Sequence, residues 1–298
     1  MAERDWCFEL GGDRLKQRTD RIDLYNQVCL ATSRITTRAY STSFSLGIRA
    51  LGPEIREGVY AIYGFVRLVD EVVDSFQGFD QQSMFEDLRE DTWRAIDAKI
   101  STNPILNAFQ NTYHQYDLDR THVEQFFWSM EQDLSEQTYD RATFEKYVGG
   151  SAEVVGLMCL KVFVRGDSSL YSELAPAAIR LGAAFQKVNF LRDIREDFVE
   201  LNRSYFPDVN VSELDTEAKS KIENEIADDL AEAYKGIIRL PRDSRFGVYL
   251  AYNYYRQLLK RIRRTPSAQI LNRRIRVPDY QKGLLLLLSY TRHRLNIV

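Results

Sequence analysis

Residues Ala177 to Phe198 read AAIRLGAAFQKVNFLRDIREDF, and the spacing inside this stretch decides the fold class. Apolar residues recur every three or four positions, the period of an amphipathic helix. Stepping back from Asp193 at the same intervals gives Asn189, Gln186 and Gly182, whereas Val188, Leu191 and Ile194 fall on other faces. A polar stripe thus runs along an otherwise apolar helix and ends in two carboxylates four residues apart, Asp193 and Asp197. Side chains at that spacing share one helix face, with Cβ atoms roughly 5–6 Å apart.

A second stretch repeats the pattern. Tyr60 to Val69 is predominantly apolar and leads into Asp70-Glu71-Val72-Val73-Asp74, and the same backward walk from Asp70 meets Arg67 and Tyr63. A third pair, Asp87 and Asp91, sits among charged neighbours and reads as a solvated face. Carboxylates on the first two segments are costly unless paired or metal-bound. A buried ion pair or a plain amphipathic surface accounts for either stripe taken singly; two in one chain favour a shared, polar-floored cavity. Four aspartates converging without cations would repel one another, whereas Mg²⁺ takes one or two carboxylates and completes its shell with water and phosphate oxygens. The ligand this implies is a diphosphate. Three histidines (His114, His122, His293) and three cysteines (Cys7, Cys29, Cys159) show no zinc spacing, and there is no Walker loop or G-x-G-x-x-G.

The rest of the chain agrees with an all-helical reading. Turn signals fall at Leu51-Gly52-Pro53, Thr102-Asn103-Pro104, Gly166-Asp167-Ser168, Phe206-Pro207-Asp208 and Leu240-Pro241-Arg242, with helix-length segments between them. Asp215 to Asp229 is so charged that it reads as a solvated surface excursion. No linker, low-complexity tract or repeat interrupts the 298 residues, so the expectation is one domain over 1–298, with 1–29 a peripheral N-terminal extension. Forty Lys and Arg against 43 Asp and Glu give a net charge of −3, which does not point to nucleic acid. Few, unclustered cysteines and a charged N-terminus without an apolar core favour a cytoplasmic protein. The most apolar run, Gly283 to Leu288, is far short of the roughly 20 residues of a membrane span.

Asn189-Phe190-Leu191-Arg192-Asp193-Ile194-Arg195-Glu196-Asp197, followed by Arg203-Ser204-Tyr205-Phe206-Pro207, resembles the N-x-L-R-D-x-x-E-D…R-x-Y-[LF]-P signature of the squalene/phytoene synthase family. Tyr40-Ser41-Thr42-Ser43-Phe44 resembles the family's S-x-S-F element, and Tyr60 to Asp70 its Y-A-x-Y…R-x-x-D helix. Met130 to Leu134 and Tyr147 to Gly156 resemble intermediate blocks, in the same order. The resemblance implies an isoprenoid-synthase helical fold with a central cavity. It further implies that Asp70, Asp74, Asn189, Asp193 and Asp197 hold Mg²⁺, with Mn²⁺ as a substitute. Catalytic roles would fall to the four aspartates with Tyr63 and Arg67, and substrate binding to Ser41, Ser43, Arg67, Gln186, Asn189, Arg192, Arg203 and Tyr205.

In that family two allylic diphosphates join head to head through a cyclopropylcarbinyl diphosphate. The blocks around Ser151 to Cys159 and Asp193 to Phe198 look closest to bacterial phytoene synthases. This implies two geranylgeranyl diphosphates giving phytoene without NADPH, in carotenoid biosynthesis. The rival readings are a squalene or dehydrosqualene synthase using two farnesyl diphosphates, a terpene cyclase acting on one, and a non-catalytic helical assembly factor or lipid-binding scaffold. The chemistry of the residues agrees with an enzyme: metal ions, Arg67 and Arg192 would offset charge on a departing diphosphate, and aromatic walls would keep water from the allylic cation. Of the 17 Tyr and 16 Phe, fewer than about a quarter are expected at the substrate, the rest being core. The chain departs from the family at Tyr147-Val148-Gly149-Gly150, where a second aromatic two positions after Tyr147 is usual; the missing ring is expected to open space near the cavity. Oily substrates and products suggest peripheral association with the inner membrane surface.

Overall fold

Prolines, prolyl neighbours and capping carboxylates begin most of the helices. The structure, a computed structural model, describes residues 6–135, 139–199, 205–207, 215–270 and 275–295, of which 6–19, 196–199 and 279 are described by their backbone alone. In chain order the helices are α1 (Trp6–Tyr40), α2 (Thr42–Arg49), α3 (Pro53–Asp74), α4 (Gln81–Ala98), α5 (Pro104–Tyr116), α6 (Arg120–Gln132) and α7 (Arg141–Val148). A π-helical turn (Gly149–Glu153) leads into α8 (Val154–Phe163), followed by α9 (Ser168–Val199), α10 (Thr216–Ile237), α11 (Arg242–Arg264), the single turn α12 (Ser267–Ile270) and α13 (Asp279–Arg294). No strand occurs among the described residues, as the sequence led us to expect.

The turn signals at Pro53, Asn103 and Gly166 have physical counterparts, whereas Asp208 lies outside the described residues. Pro53 occupies the first turn of α3, where its missing N–H costs nothing. The Asn103 side chain accepts from the Ile105 amide at 3.0 Å to start α5, and Asp215 accepts from the Ala218 amide at 2.7 Å to start α10. After α8 the chain reverses through Arg165 and Gly166 at φ of 53° and 81°.

One hydrophobic core runs through the helices from α2 to α11, and its densest aromatic group lies between α3, α5 and α6. Phe65 stacks on Phe109 with centroids 3.9 Å apart and meets Phe126 and Phe127 at 5.7 Å. All four rings are fully buried, each worth about 1.5–3 kcal/mol relative to exposure. Helix α1 packs on α3 and α5. From Tyr25 onward it is tied into the body of the protein: the Tyr25 hydroxyl donates to Ser101 O at 2.6 Å, Asn26 accepts from Asn107 at 2.9 Å, and Cys29 is buried. The part of 1–29 that would suit a peripheral extension therefore ends before Tyr25.

Helix α9 runs beside the π turn, α8 and α10. Its closeness to the π turn depends on Gly182, because a Cβ there would lie 2.6 Å from Ala152 O. Gly247 plays the same part for α11 against α2, where a Cβ would meet Gly47 O at 2.6 Å. The charged stretch Asp215 to Asp229 corrects the sequence reading. It is the first part of α10, whose Ile222, Ile226, Leu230 and Ala233 form a buried face packed on α9. Its charges enter the interior in pairs: Asp229 accepts from Arg180 at 2.9 Å and Lys187 at 2.8 Å, and Lys219 pairs with Glu223. Composition registered those charges without their partners, which lie largely on another helix.

Candidate active site

Helices α3 and α9, with α2, α8 and α11, surround a cavity of about 810 Å³. From α3, Tyr63, Arg67, Asp70 and Asp74 point into it at helical spacing. From α9 come Gly182, Gln186, Asn189, Arg192 and Asp193, so both polar stripes of the sequence open on one space. Val188, Leu191 and Ile194, on the other faces of α9, are buried. Asp87 and Asp91 are exposed on α4, as the charged context indicated.

The polar groups are already engaged with one another. The Arg192 guanidinium forks onto the Asp193 carboxylate, Nε donating to Oδ1 at 2.9 Å and to Oδ2 at 3.0 Å, with a second nitrogen on Oδ2. Burial works against the Arg192 charge, but the Asp193 carboxylate outweighs it and holds the guanidinium more firmly protonated than usual. Arg67 pairs with Glu71, and its guanidinium lies 4.2 Å from the centre of the Tyr40 ring. Ser41 caps α2 by accepting from the Phe44 amide at 3.1 Å and also bonds the Tyr63 phenol. Burial, then the nearby Asp70 carboxylate, push that phenol above its ordinary pKa, with Arg67 and Ser41 opposing.

Asn189 Oδ1 accepts from the Tyr255 hydroxyl at 3.2 Å, and burial raises the Tyr255 phenol as well. Phe185 stacks on Tyr255 at 3.8 Å, and Phe44 meets both rings. Asp133 accepts from Tyr147 at 2.7 Å and from Tyr205 at 3.2 Å. Tyr205 in turn stacks on Phe190 at 4.1 Å. Nine Tyr and Phe rings line the cavity. Cys159 is among the lining residues, and burial raises its thiol to about 12, which leaves it inert.

Of the residues singled out in the sequence, Ser41, Tyr63, Arg67, Asp70, Asp74, Gln186, Asn189, Arg192, Asp193 and Tyr205 come together here. Ser43 does not: it is half-buried on α2 and is not among the lining residues. The Asp197 side chain and Arg203 lie outside the described residues. Gly149, in the π turn, is not a lining residue, whereas Tyr147 and Ser151 on either side of it are. Its own Cβ position faces only Glu153 Oε2, at 3.7 Å.

The cavity also holds Tyr40, Asp133, Tyr147 and Tyr255, which were not identified as site residues. Asp133 carried a signal: it is the C-cap of α6, an anion at the negative end of a helix dipole. Tyr255 follows Gly247 and Ala251 at four-residue steps, which puts all three on one face of α11. The oxygens offered from α3 and α9 are hard donors: the carboxylates of Asp70, Asp74 and Asp193 and the amide of Asn189. Among the described residues no three His, Cys, Asp or Glu side chains stand close enough to cage a metal, so a cation here would take part of its shell from water or from a ligand.

Comparison with known proteins agrees with this geometry. Residues 37–281 match the squalene/phytoene synthase family. The chain is 27% identical to a phytoene synthase of Arthrospira platensis over 93% of its own length and 94% of the relative's. It is 35% identical to a presqualene diphosphate synthase of Zymomonas mobilis, over 57% of each chain. Among solved structures it superposes on a dehydrosqualene synthase with a TM-score of 0.77 at 21% identity, covering 90% of this chain and 98% of that one. The protein belongs to the squalene/phytoene synthase family, whose members are prenyltransferases with this helical fold.

Proposed function

We propose that the protein is a phytoene synthase, joining two geranylgeranyl diphosphates head to head in a Mg²⁺-dependent reaction. The observation that carries the reading is the convergence of two acidic helices, α3 and α9, on one aromatic-walled cavity. The choice of phytoene rests on similarity over nearly the full chain to the Arthrospira enzyme and, at 28% identity over 87% of the chain, to a 15-cis-phytoene synthase of Synechocystis.

Asp70, Asp74, Asn189, Asp193 and Asp197 would hold Mg²⁺, whose charge would assist departure of diphosphate. Arg67 and Arg192 are cations placed beforehand in the cavity, paired with Glu71 and Asp193, and can turn to the leaving group as it gains charge. Phe44, Phe185 and Phe190 present ring faces and edges that exclude water from an allylic cation. The phenols of Tyr63, Tyr147 and Tyr255 are all raised by burial, so they stay neutral at physiological pH and offer no phenolate to trap that cation. The first ionisation would release one diphosphate, and the allylic cation would alkylate the other prenyl chain, which loses a proton as the ring closes to a cyclopropylcarbinyl diphosphate; the second ionisation would release the remaining diphosphate, and rearrangement with loss of a second proton would give the linear hydrocarbon.

Incubation of the purified protein with Mg²⁺ and either prenyl diphosphate, with and without NADPH, followed by mass spectrometry, tests this reading. A C40 hydrocarbon from the geranylgeranyl donor without NADPH is expected. The likeness to the Zymomonas presqualene diphosphate synthase favours a second reading, with farnesyl diphosphate as donor. A C30 product, or accumulated cyclopropyl diphosphate, would replace the first reading by that one.

A further inference from the structure

The net charge of −3 hides a marked asymmetry. From Arg256 to Val298 eleven Lys and Arg residues accompany one acid, Asp279. Within this basic region α13 carries an unpartnered apolar face. Tyr280, Leu284, Leu287, Leu288 and Leu295 follow one another at helical spacing and are 73%, 54%, 59%, 52% and 69% exposed. The opposite side is fastened to the protein through Ser289, which is buried and accepts from Asn253 at 3.2 Å, and at one edge of the stripe Gln281 accepts from Arg261 at 3.1 Å. Arg292 and Arg294, both exposed, flank the leucine stripe on its two sides.

We propose that this face of α13 is a docking surface for a bilayer containing anionic lipid. An interfacial helix inserts its apolar face among the acyl chains while basic side chains at its edge meet anionic headgroups, and α13 with the exposed Lys260, Arg264 and Arg276 nearby in sequence has that composition. A second copy of the chain is disfavoured as the occupant, because pairing through this face would bring together two regions that each carry eleven Lys and Arg against one acid. No helix among the described residues is long and apolar enough to cross a membrane, so the contact is peripheral. Its position suits the handling of oily compounds. Lys282, near the start of α13, donates to Thr42 at 3.2 Å, and the two residues before Thr42, Tyr40 and Ser41, line the cavity. A docked α13 would bring lipid close to these two lining residues.

Cosedimentation of the full chain with vesicles tests this without any turnover, so its outcome is separate from that of the proposed reaction. Binding to phosphatidylglycerol-containing vesicles is expected, weakened by salt and at least about tenfold weaker on pure phosphatidylcholine. The triple variant Leu284→Gln, Leu287→Gln, Leu288→Gln and the double variant Arg292→Gln, Arg294→Gln should each lose at least about tenfold in partitioning. Both should keep the circular dichroism of the parent and its activity on detergent-dispersed substrate. Absence of binding by the parent, or equal binding by both variants, would overturn the proposal. So would a parent dimer that the leucine variant dissolves, which would make a second copy the occupant.

Discussion

Arg192 and Asp193 adjoin in sequence, and the structure turns that adjacency into a forked ion pair on the cavity wall. A planar guanidinium satisfies both carboxylate oxygens, whereas an ammonium acts as a point charge. Arg192→Lys is accordingly expected to retain the charge and yet lower kcat about a hundredfold, measured by hydrocarbon formation at saturating substrate. Glu153, at the end of the π turn, is a carboxyl raised above its ordinary value by burial, with Lys187 opposing. A group whose folded pKa exceeds its unfolded value favours the folded state below the unfolded pKa and loses that advantage as pH rises through the folded one. Glu153→Gln stays neutral throughout. Its Tm relative to the parent should therefore climb as pH rises above about 4.5, and a difference independent of pH would refute the assignment.

At the scale of the helix, α9 and α10 show what sequence patterning conveys and what it leaves out. The stripe Gly182, Gln186, Asn189, Asp193 was legible because helical periodicity places those residues on one face whatever packs against it. The charged start of α10 was misread because its buried charges are paired, Lys219 with Glu223 one turn on and Asp229 with Arg180 and Lys187, more than 40 positions away. The Asp229 side chain is only 4% exposed, so removing it strands a buried ammonium at Lys187. Asp229→Ala is expected to cost about 3–5 kcal/mol in denaturant unfolding. A loss below 1 kcal/mol would mean that Lys187 finds water or Glu225 instead.

For the whole molecule, chain order says little about which residues meet. Asp70 and Asp193 are 123 positions apart in sequence, and their shared cavity was inferred from two stripes of the same kind and from the motifs around them. Asp133 and Tyr255 escaped because each contributes a single group from a helix without an acidic pair. Ser43 was carried in with its motif, yet half a helical turn separates it from Ser41, which does line the cavity. The tightness of the cavity wall follows from glycines such as Gly182, whose closeness to Ala152 O only a folded chain reveals.

If the acidic helices α3 and α9 act as one device, a double-mutant cycle on Asp70→Asn and Asp193→Asn will show it. Each single change should lower hydrocarbon formation about 10²–10³-fold. If the two carboxylates serve the same ionisation, the double variant should be little worse than the poorer single one. Losses that simply multiply would show the two helices working independently.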